Sequence, residues 1–283
     1  MTALEDQLDA DLWKQVKAER DKLLTSSAPR RRIFAVVNQK GGAGKTTTAV
    51  TLGAIWASWG LRVRIIDGDP QKGSATYWLP PQWEEGAKVA DLKDVYFDDK
   101  TLDEATAPTS VPNLYLVASD KKLGQVEYAQ LADANLSMKS ALQDSLEDFH
   151  ITIFDCRPSL GVLTVSALTA AEELLIPLGA SGMDVPGLVE LNETLETILK
   201  RLNPELDVAA VVICHDSDTL LSREVRKQLD QDYPSAIRHK VPRSVRVEEA
   251  PFAHEPITTY APTNPATIAY VELAALLLLR GTA

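Results

Sequence analysis

Residues 38–50 read NQKGGAGKTTTAV, and they follow without a break on the β-branched run RIFAVVN (32–38). A strand that ends on closely spaced glycines and passes straight into a helix leaves a chain few folds to choose from. Gly41, Gly42 and Gly44 let successive backbone amides turn inward. The helix expected over 46–60, closed by Gly60, aims its positive end at the same point. Gly44, Lys45 and Thr46 stand in the order of a phosphate-binding loop, where the lysine reaches the β- and γ-phosphates and the hydroxyl ligates Mg2+. Gln39 occupies the position at which the usual pattern begins with glycine. Lys40 is a second cation at the mouth of the loop, one more than a single phosphate chain requires.

Beyond the loop, short apolar runs alternate with helical stretches. Strands are expected at 61–67, 113–119, 150–155, 172–178 and 207–214, and helices at about 124–148, 185–202, 218–232 and 265–280. This alternation predicts an α/β fold, a doubly wound and mainly parallel sheet with helices on both faces. The proline- and acid-rich stretch 79–112 reads as a surface excursion. Residues 1–32 stand apart from the phosphate-loop domain expected over 33–283. Leu4, Leu8, Leu12 and Val16 recur every four positions, which predicts an amphipathic helix joined to the first strand by SSAPRRR. Such a helix packs on its own subunit or on a partner copy, or serves as an accessory arm for DNA or dimer contact.

Composition removes several classes. None of the apolar runs in the 283 residues approaches the ~20 positions needed to cross a bilayer, and the opening MTALEDQLDADLWK is too acidic for a secretory signal. Cys156 and Cys214, the only cysteines, make neither a disulfide framework nor a four-ligand metal site, so a reducing cytoplasm is expected. A net charge of -11 disfavours long-range attraction to nucleic acid or anionic lipid, though a local basic patch survives it.

With Lys40 included, KGGAGKTT resembles the deviant phosphate loop of the ParA/MinD ATPases, a group of P-loop NTPases. The resemblance implies that residues 40–47 (Lys40, Gly41, Gly42, Ala43, Gly44, Lys45, Thr46 and Thr47) hold ATP. It also implies that Lys40 reaches across a homodimer interface to the other subunit's phosphates, a cation each of two facing ATP molecules needs. IIDGDPQKGSAT (65–76) is similar to the family's D-x-D-P-Q segment, so Asp69 is the expected water-positioning carboxylate. Asp67, at the strand end, is expected to support the Mg2+ shell or the loop. ITIFDCRPSLG (151–161) resembles the second acidic motif, in which Asp155 holds Mg2+ through water; Arg157-Pro158 replaces the usual two prolines. The implied catalytic set is Lys40, Lys45 and Asp69, and the implied metal set Thr46, Asp67 and Asp155.

VPRSVRVEEAPFAHEPITTYAP (241–262) is similar to a segment of partition ParA proteins. There Pro242, Arg243 and Ser244 would frame the adenine, Ser244 replacing the usual asparagine, and Arg246 would face nonspecific DNA. Basic residues gather nearby: Arg223, Arg226, Lys227, Arg238, Lys240, Arg243 and Arg246, of which Arg223, Arg226 and Arg246 are the expected DNA contacts. The resemblance implies a cytoplasmic partition ATPase, nucleoid-associated when ATP-bound, that is stimulated by a ParB-like partner. Two alternatives share the fold. A MinD-like membrane-positioning ATPase would carry a basic amphipathic tail, whereas this chain closes on apolar VELAALLLLRGTA. An ATP-dependent amidoligase or synthetase would not need the D-x-D-P-Q and E-A-P segments.

Overall fold

In β1 (Arg32–Val36) alternate side chains face two separate cores: Phe34 and Val36 point one way, Ala35 and the following Val37 the other. The period of two continues through the sheet, because a strand buried on both faces must feed apolar side chains to each. The computed structural model describes residues 4–25, 31–71, 74–83, 90–98, 100–179, 184–214, 227 and 231–280. Eight strands form one sheet: β1, β2 (Val63–Asp67), β3 (Thr106–Pro108), β4 (Leu114–Val117), β5 (Ile151–Asp155), β6 (Glu173–Gly179), β7 (Asp207–Cys214) and β8 (Ile237–Val241). Their order is β3-β4-β2-β5-β1-β6-β7-β8, and every pairing is parallel except β3 with β4.

One face is covered by α1 (Ala10–Thr25), α2 (Lys45–Ser58) and the closing helix Pro265–Arg280. On the other lie α6 (Ser137–Gln143), α7 (Val162–Ala170) and α8 (Asp184–Arg201). α2 is buried nearly all round, as befits a helix trapped between sheet and outer helices. Trp56 anchors it, stacking on Phe34 and donating its indole N–H to the Ala274 carbonyl at 3.2 Å. Truncation of so large a buried ring costs about 3–5 kcal/mol, so α2 and the loop it begins from are held firmly. At the amino end of β1, buried Arg32 donates to Glu173 and to the Leu277 carbonyl (2.7 Å), tying β1 to the closing helix.

The N-terminal stripe is buried in the body of its own chain. Leu4, Leu8, Val16 and Leu23 enter the core, Trp13 lies 5.5 Å from Trp59 (centroids), and the Gln7 amide donates to the Pro262 carbonyl. The helix begins later than the four-residue spacing predicts, because Asp9 accepts from the amides of Asp11 and Leu12 and starts α1 at Ala10.

Three expectations need correction. The helix expected over 124–148 is instead a 3-10 turn at Lys121–Glu127, another at Ala134–Leu136, and the short α6; Asp133, at φ 56°, interrupts any continuous helix. The stretch 79–112 is only partly an excursion. It supplies α4 (Leu92–Phe97), α5 (Leu102–Ala105) and β3, and buries Leu92, Leu102 and Ala107. The third is β8, a strand the sequence pattern did not yield. The expected helix over 218–232 falls largely outside the described residues.

Candidate functional site

The carboxyl ends of the neighbouring central strands β2, β5 and β1 lie side by side, and each contributes one piece of the site. From β1 the chain enters residues 37–44. Asn38, almost fully buried, clamps the start of this loop: its amide donates to the Pro177 carbonyl on β6 at 2.6 Å, and its Oδ1 accepts from the Lys40 amide at 2.8 Å. Gly42 (φ 73°) and Gly44 (φ 97°) take left-handed backbone that side chains resist, so the glycine spacing is required by the turn itself. A Cβ on Gly44 would lie 3.0 Å from the Cys214 sulfur at the end of β7. That sulfur is the loop's floor. Beside it, Tyr270 of the closing helix shares a hydrogen bond of 3.1 Å with the Thr48 hydroxyl of α2.

Lys45 is only 7% exposed and folds back over the loop, donating to the Lys40 carbonyl at 3.1 Å. Burial lowers its pKa, while Asp155, Asp69 and Cys156 pull it back up. Gly41 and Gly42 are exposed, Ala43 is buried, and Lys40, Thr46 and Thr47 are half-buried.

β2 and β5 are neighbours in register, so Asp67 stands directly opposite Asp155. The two fully buried carboxyls differ sharply in their company. Asp67 accepts from the Asp69 amide at 3.0 Å and, through its other oxygen, from the Thr76 amide (2.8 Å) and hydroxyl. It therefore holds the loop that carries Asp69. Neither Asp155 oxygen has a hydrogen-bond partner. Burial, then the charge of Asp67, raises the Asp155 pKa far above the usual carboxylate range. The nearby Thr46 hydroxyl, outside hydrogen-bond geometry, and the Lys45 ammonium act in the opposite direction. A buried carboxyl with vacant lone pairs beside a threonine hydroxyl is a donor set that suits Mg2+, which takes one or two carboxylates and fills its octahedron with water and phosphate oxygens. Asp67, with both oxygens engaged, is placed to shape the loop. No group of three or more His, Cys, Asp or Glu stands ready to hold a metal alone among the described residues.

Asp69 is half-buried, with its Oδ1 accepting from the Gln71 amide at 3.0 Å. Pro242, Arg243 and Ser244 leave the carboxyl end of β8, three strands from β1, or ~14 Å at normal strand spacing. Pro242 and Arg243 are exposed, and Ser244 caps the short helix Val245–Glu249 by accepting from the Arg246 amide at 3.2 Å. Arg246 is exposed and pairs with Glu249 at 2.7 Å; Arg243 faces Glu248 at 3.6 Å. Arg238 donates to the carbonyls of Ala236 and Tyr233 and so closes a turn. Arg223 and Arg226 lie outside the described residues.

Comparisons with known proteins place the chain in a family. A family model described as "AAA domain" matches residues 31–208. The chain is 34% identical over 254 residues to the chromosome partitioning protein ParA of Caulobacter vibrioides, covering 88% of this chain and 94% of that one. It is 37% identical over 247 residues to the chromosome-partitioning ATPase Soj of Thermus thermophilus, covering 86% and 94%. The chain belongs to the ParA family of ATPases. Among solved structures it resembles a cobyrinic acid a,c-diamide synthase of Mycobacterium smegmatis with bound ADP and magnesium. There the TM-score is 0.71 at 27% identity, over 87% of this chain and 93% of that one. ADP and magnesium are thus bound by a chain of this fold. Among the described residues of this ParA-family member, no helix is long and apolar enough to cross a membrane.

The family motifs marked Lys40, Lys45, Asp69 and Asp155 but gave no sign of Asn38, Cys214 or Tyr270. Each of these acts through a contact distant in sequence.

Proposed function

We propose that the protein is a DNA-partition ATPase that binds ATP with Mg2+, pairs face to face with a second copy, holds nonspecific DNA, and hydrolyses ATP when a ParB-like protein stimulates it. The observation that carries this reading is the juxtaposition of buried Lys45, folded on the Lys40 carbonyl, with the unpartnered carboxyl of Asp155. Residues 40–47 would cradle the triphosphate through backbone amides and the Lys45 ammonium. Thr46 and Asp155 would hold Mg2+, and Asp67 would fix the loop that presents Asp69 to the attacking water. Bound magnesium supplies neutralising charge at the β- and γ-phosphate oxygens. Pro242, Arg243 and Ser244 would frame the base. Lys40 would serve the partner subunit's nucleotide, and Arg246, with Arg223 and Arg226, would meet DNA phosphates.

The test is nucleotide affinity and sedimentation of wild type, Lys45→Ala and Lys40→Ala. Lys45→Ala should abolish nucleotide binding. Lys40→Ala should keep binding as a monomer while losing the ATP-dependent dimer; a Lys40→Ala protein that dimerises as wild type does would remove the cross-subunit role.

A second reading, ATP-dependent amide synthesis, draws on the name of the Mycobacterium smegmatis chain. ATP turnover that requires an acid acceptor and an ammonia source, and that ignores DNA, would favour it. The membrane-positioning alternative finds no support in the closing helix, whose apolar residues Tyr270, Val271, Leu273, Leu277 and Leu278 are committed to the core.

A further inference from the structure

Between the two acidic loops of the site runs a short segment that the family motifs do not include. It begins at Ser119, just past β4. The Ser119 hydroxyl donates to the Asp69 carbonyl at 2.9 Å, and its amide donates to the Thr76 hydroxyl at 3.0 Å, the same hydroxyl that donates to Asp67. The 3-10 turn Lys121–Glu127 follows, anchored in the core by buried Leu123 and Val126. Its Gly124 lies against Pro70, which would be 3.9 Å from an added Cβ. The turn ends on Glu127, only 12% exposed, whose carboxylate grips the loop after Asp155 in two places. Oε1 accepts from Arg157 Nη1 at 3.1 Å, and Oε2 accepts from the Val162 amide at 2.8 Å, at the first residue of α7. Gly161 has no room for a side chain, since a Cβ there would collide with the Glu127 carboxylate.

We propose that residues 119–127 form a strap that holds the Asp69 loop and the Asp155 loop in fixed relation, with Glu127 as the positioning residue for the segment 156–162. The chemistry is specific. A carboxylate offers two acceptor oxygens, one for the guanidinium and one for the backbone amide, and both bonds are charge-assisted. Arg157, two residues past Asp155, needs such an acceptor because it is 21% exposed and makes no other ion pair among the described residues. The strap fixes where Asp155 sits relative to Asp69, and so where a divalent ion would be held relative to the attacking water. This inference rests on the reading of the site as one for ATP and a divalent cation.

The experiment compares wild type with Glu127→Ala, Glu127→Gln, Arg157→Ala and the double variant Glu127→Ala/Arg157→Ala. Three quantities are read: ATP affinity in EDTA, Mn2+ affinity of the ATP complex by electron paramagnetic resonance, and hydrogen exchange of the peptide over 156–165. ATP affinity in EDTA should be unchanged, because the phosphate loop is untouched. Mn2+ affinity should fall about 10- to 100-fold in Glu127→Ala, the range for loss of a group that orients a metal ligand, with faster exchange confined to 156–165. Glu127→Gln should recover part of the loss. The double variant should be no worse than Glu127→Ala, since both changes break one clamp. Wild-type Mn2+ affinity in Glu127→Ala would overturn the proposal, as would an equal loss of ATP affinity in EDTA. If Glu127→Ala does not fold, Glu127→Gln and Arg157→Ala make the same comparison. A wild-type protein that binds no ATP would instead overturn the underlying reading of the site.

Discussion

Gly44 is the position at which the phosphate loop is least able to change, and the cost of changing it can be worked out from two separate observations. Its φ of 97° is backbone that an L side chain adopts only with strain, on the order of 1–2 kcal/mol. An added Cβ would also sit 3.0 Å from the Cys214 sulfur, which is itself buried against Tyr270 and cannot swing into solvent. Overpacking of that kind costs about 1–3 kcal/mol. Gly44→Ala should therefore lose roughly 2–5 kcal/mol of stability, a large share of the total for most domains. Cys214→Ala alone removes one buried heavy atom and should cost about 0.5–1.5 kcal/mol. Combined, the two should not add: the smaller residue at 214 opens the space that the new methyl needs, and only the backbone strain remains. Equilibrium urea unfolding of the four proteins without nucleotide measures this. The double variant should be more stable than Gly44→Ala by about 1 kcal/mol or more. Additivity within ~0.5 kcal/mol would refute the claim that Cys214 forms the floor of the loop.

Asp69→Ala should keep ATP binding and lose turnover, trapping an ATP-bound dimer, because a water-positioning carboxylate matters in the transition state and little in the ground state; hydrolysis at the wild-type rate would assign the role elsewhere. His150 gives a pH dependence. Its Nδ1 accepts from the Arg62 amide at 2.9 Å, and burial, followed by the Arg62 charge, lowers its pKa, with Asp148 opposing. The unfolded ring takes up a proton near pH 6.5 and the folded ring only below that, so stability must fall as pH drops through that window. His239 is shifted in the same direction. Urea midpoints at pH 7.5 and 5.5 should therefore differ less in His150→Gln than in wild type, without becoming equal.

The central strands were legible because parallel strands buried on both faces read as continuous apolar runs, and β7 begins and ends where its pattern predicts. The sheet edges were not legible. β3 is three residues long and ends in Pro108, and β8 reads IRHKV, half-buried and charged as edge strands tend to be. The segment 124–148 read as one helix, yet Asp133 in left-handed backbone and two 3-10 turns divide it. In the site, the phosphate-loop spacing and the strand-ending acidic motif singled out Lys45 and Asp155, which the structure places at the start of α2 and the end of β5. Glu127 was hidden because its partner lies 30 positions away in the chain. Arg157 was visible as a departure from the family's two prolines, and the structure supplies its reason: a carboxylate waits for it. Asp67 was expected to support either the Mg2+ shell or the loop, and sequence left that choice open; the three donors around it all belong to the loop at Asp69 and Thr76.

The central claim is that nucleotide turns a weak basic patch on an acidic chain into a DNA-binding surface by pairing two copies. Each patch alone would contend with a net charge of -11, and pairing would make the second contact effectively intramolecular. Retention on random-sequence duplex, with and without ATP and across a salt series, tests this most directly. The account predicts retention that requires ATP, ignores sequence, falls steeply with salt as counterion release demands, and is lost in Arg246→Glu while the ATP-dependent dimer still forms. Equal retention without nucleotide, or full retention by Arg246→Glu, would contradict it.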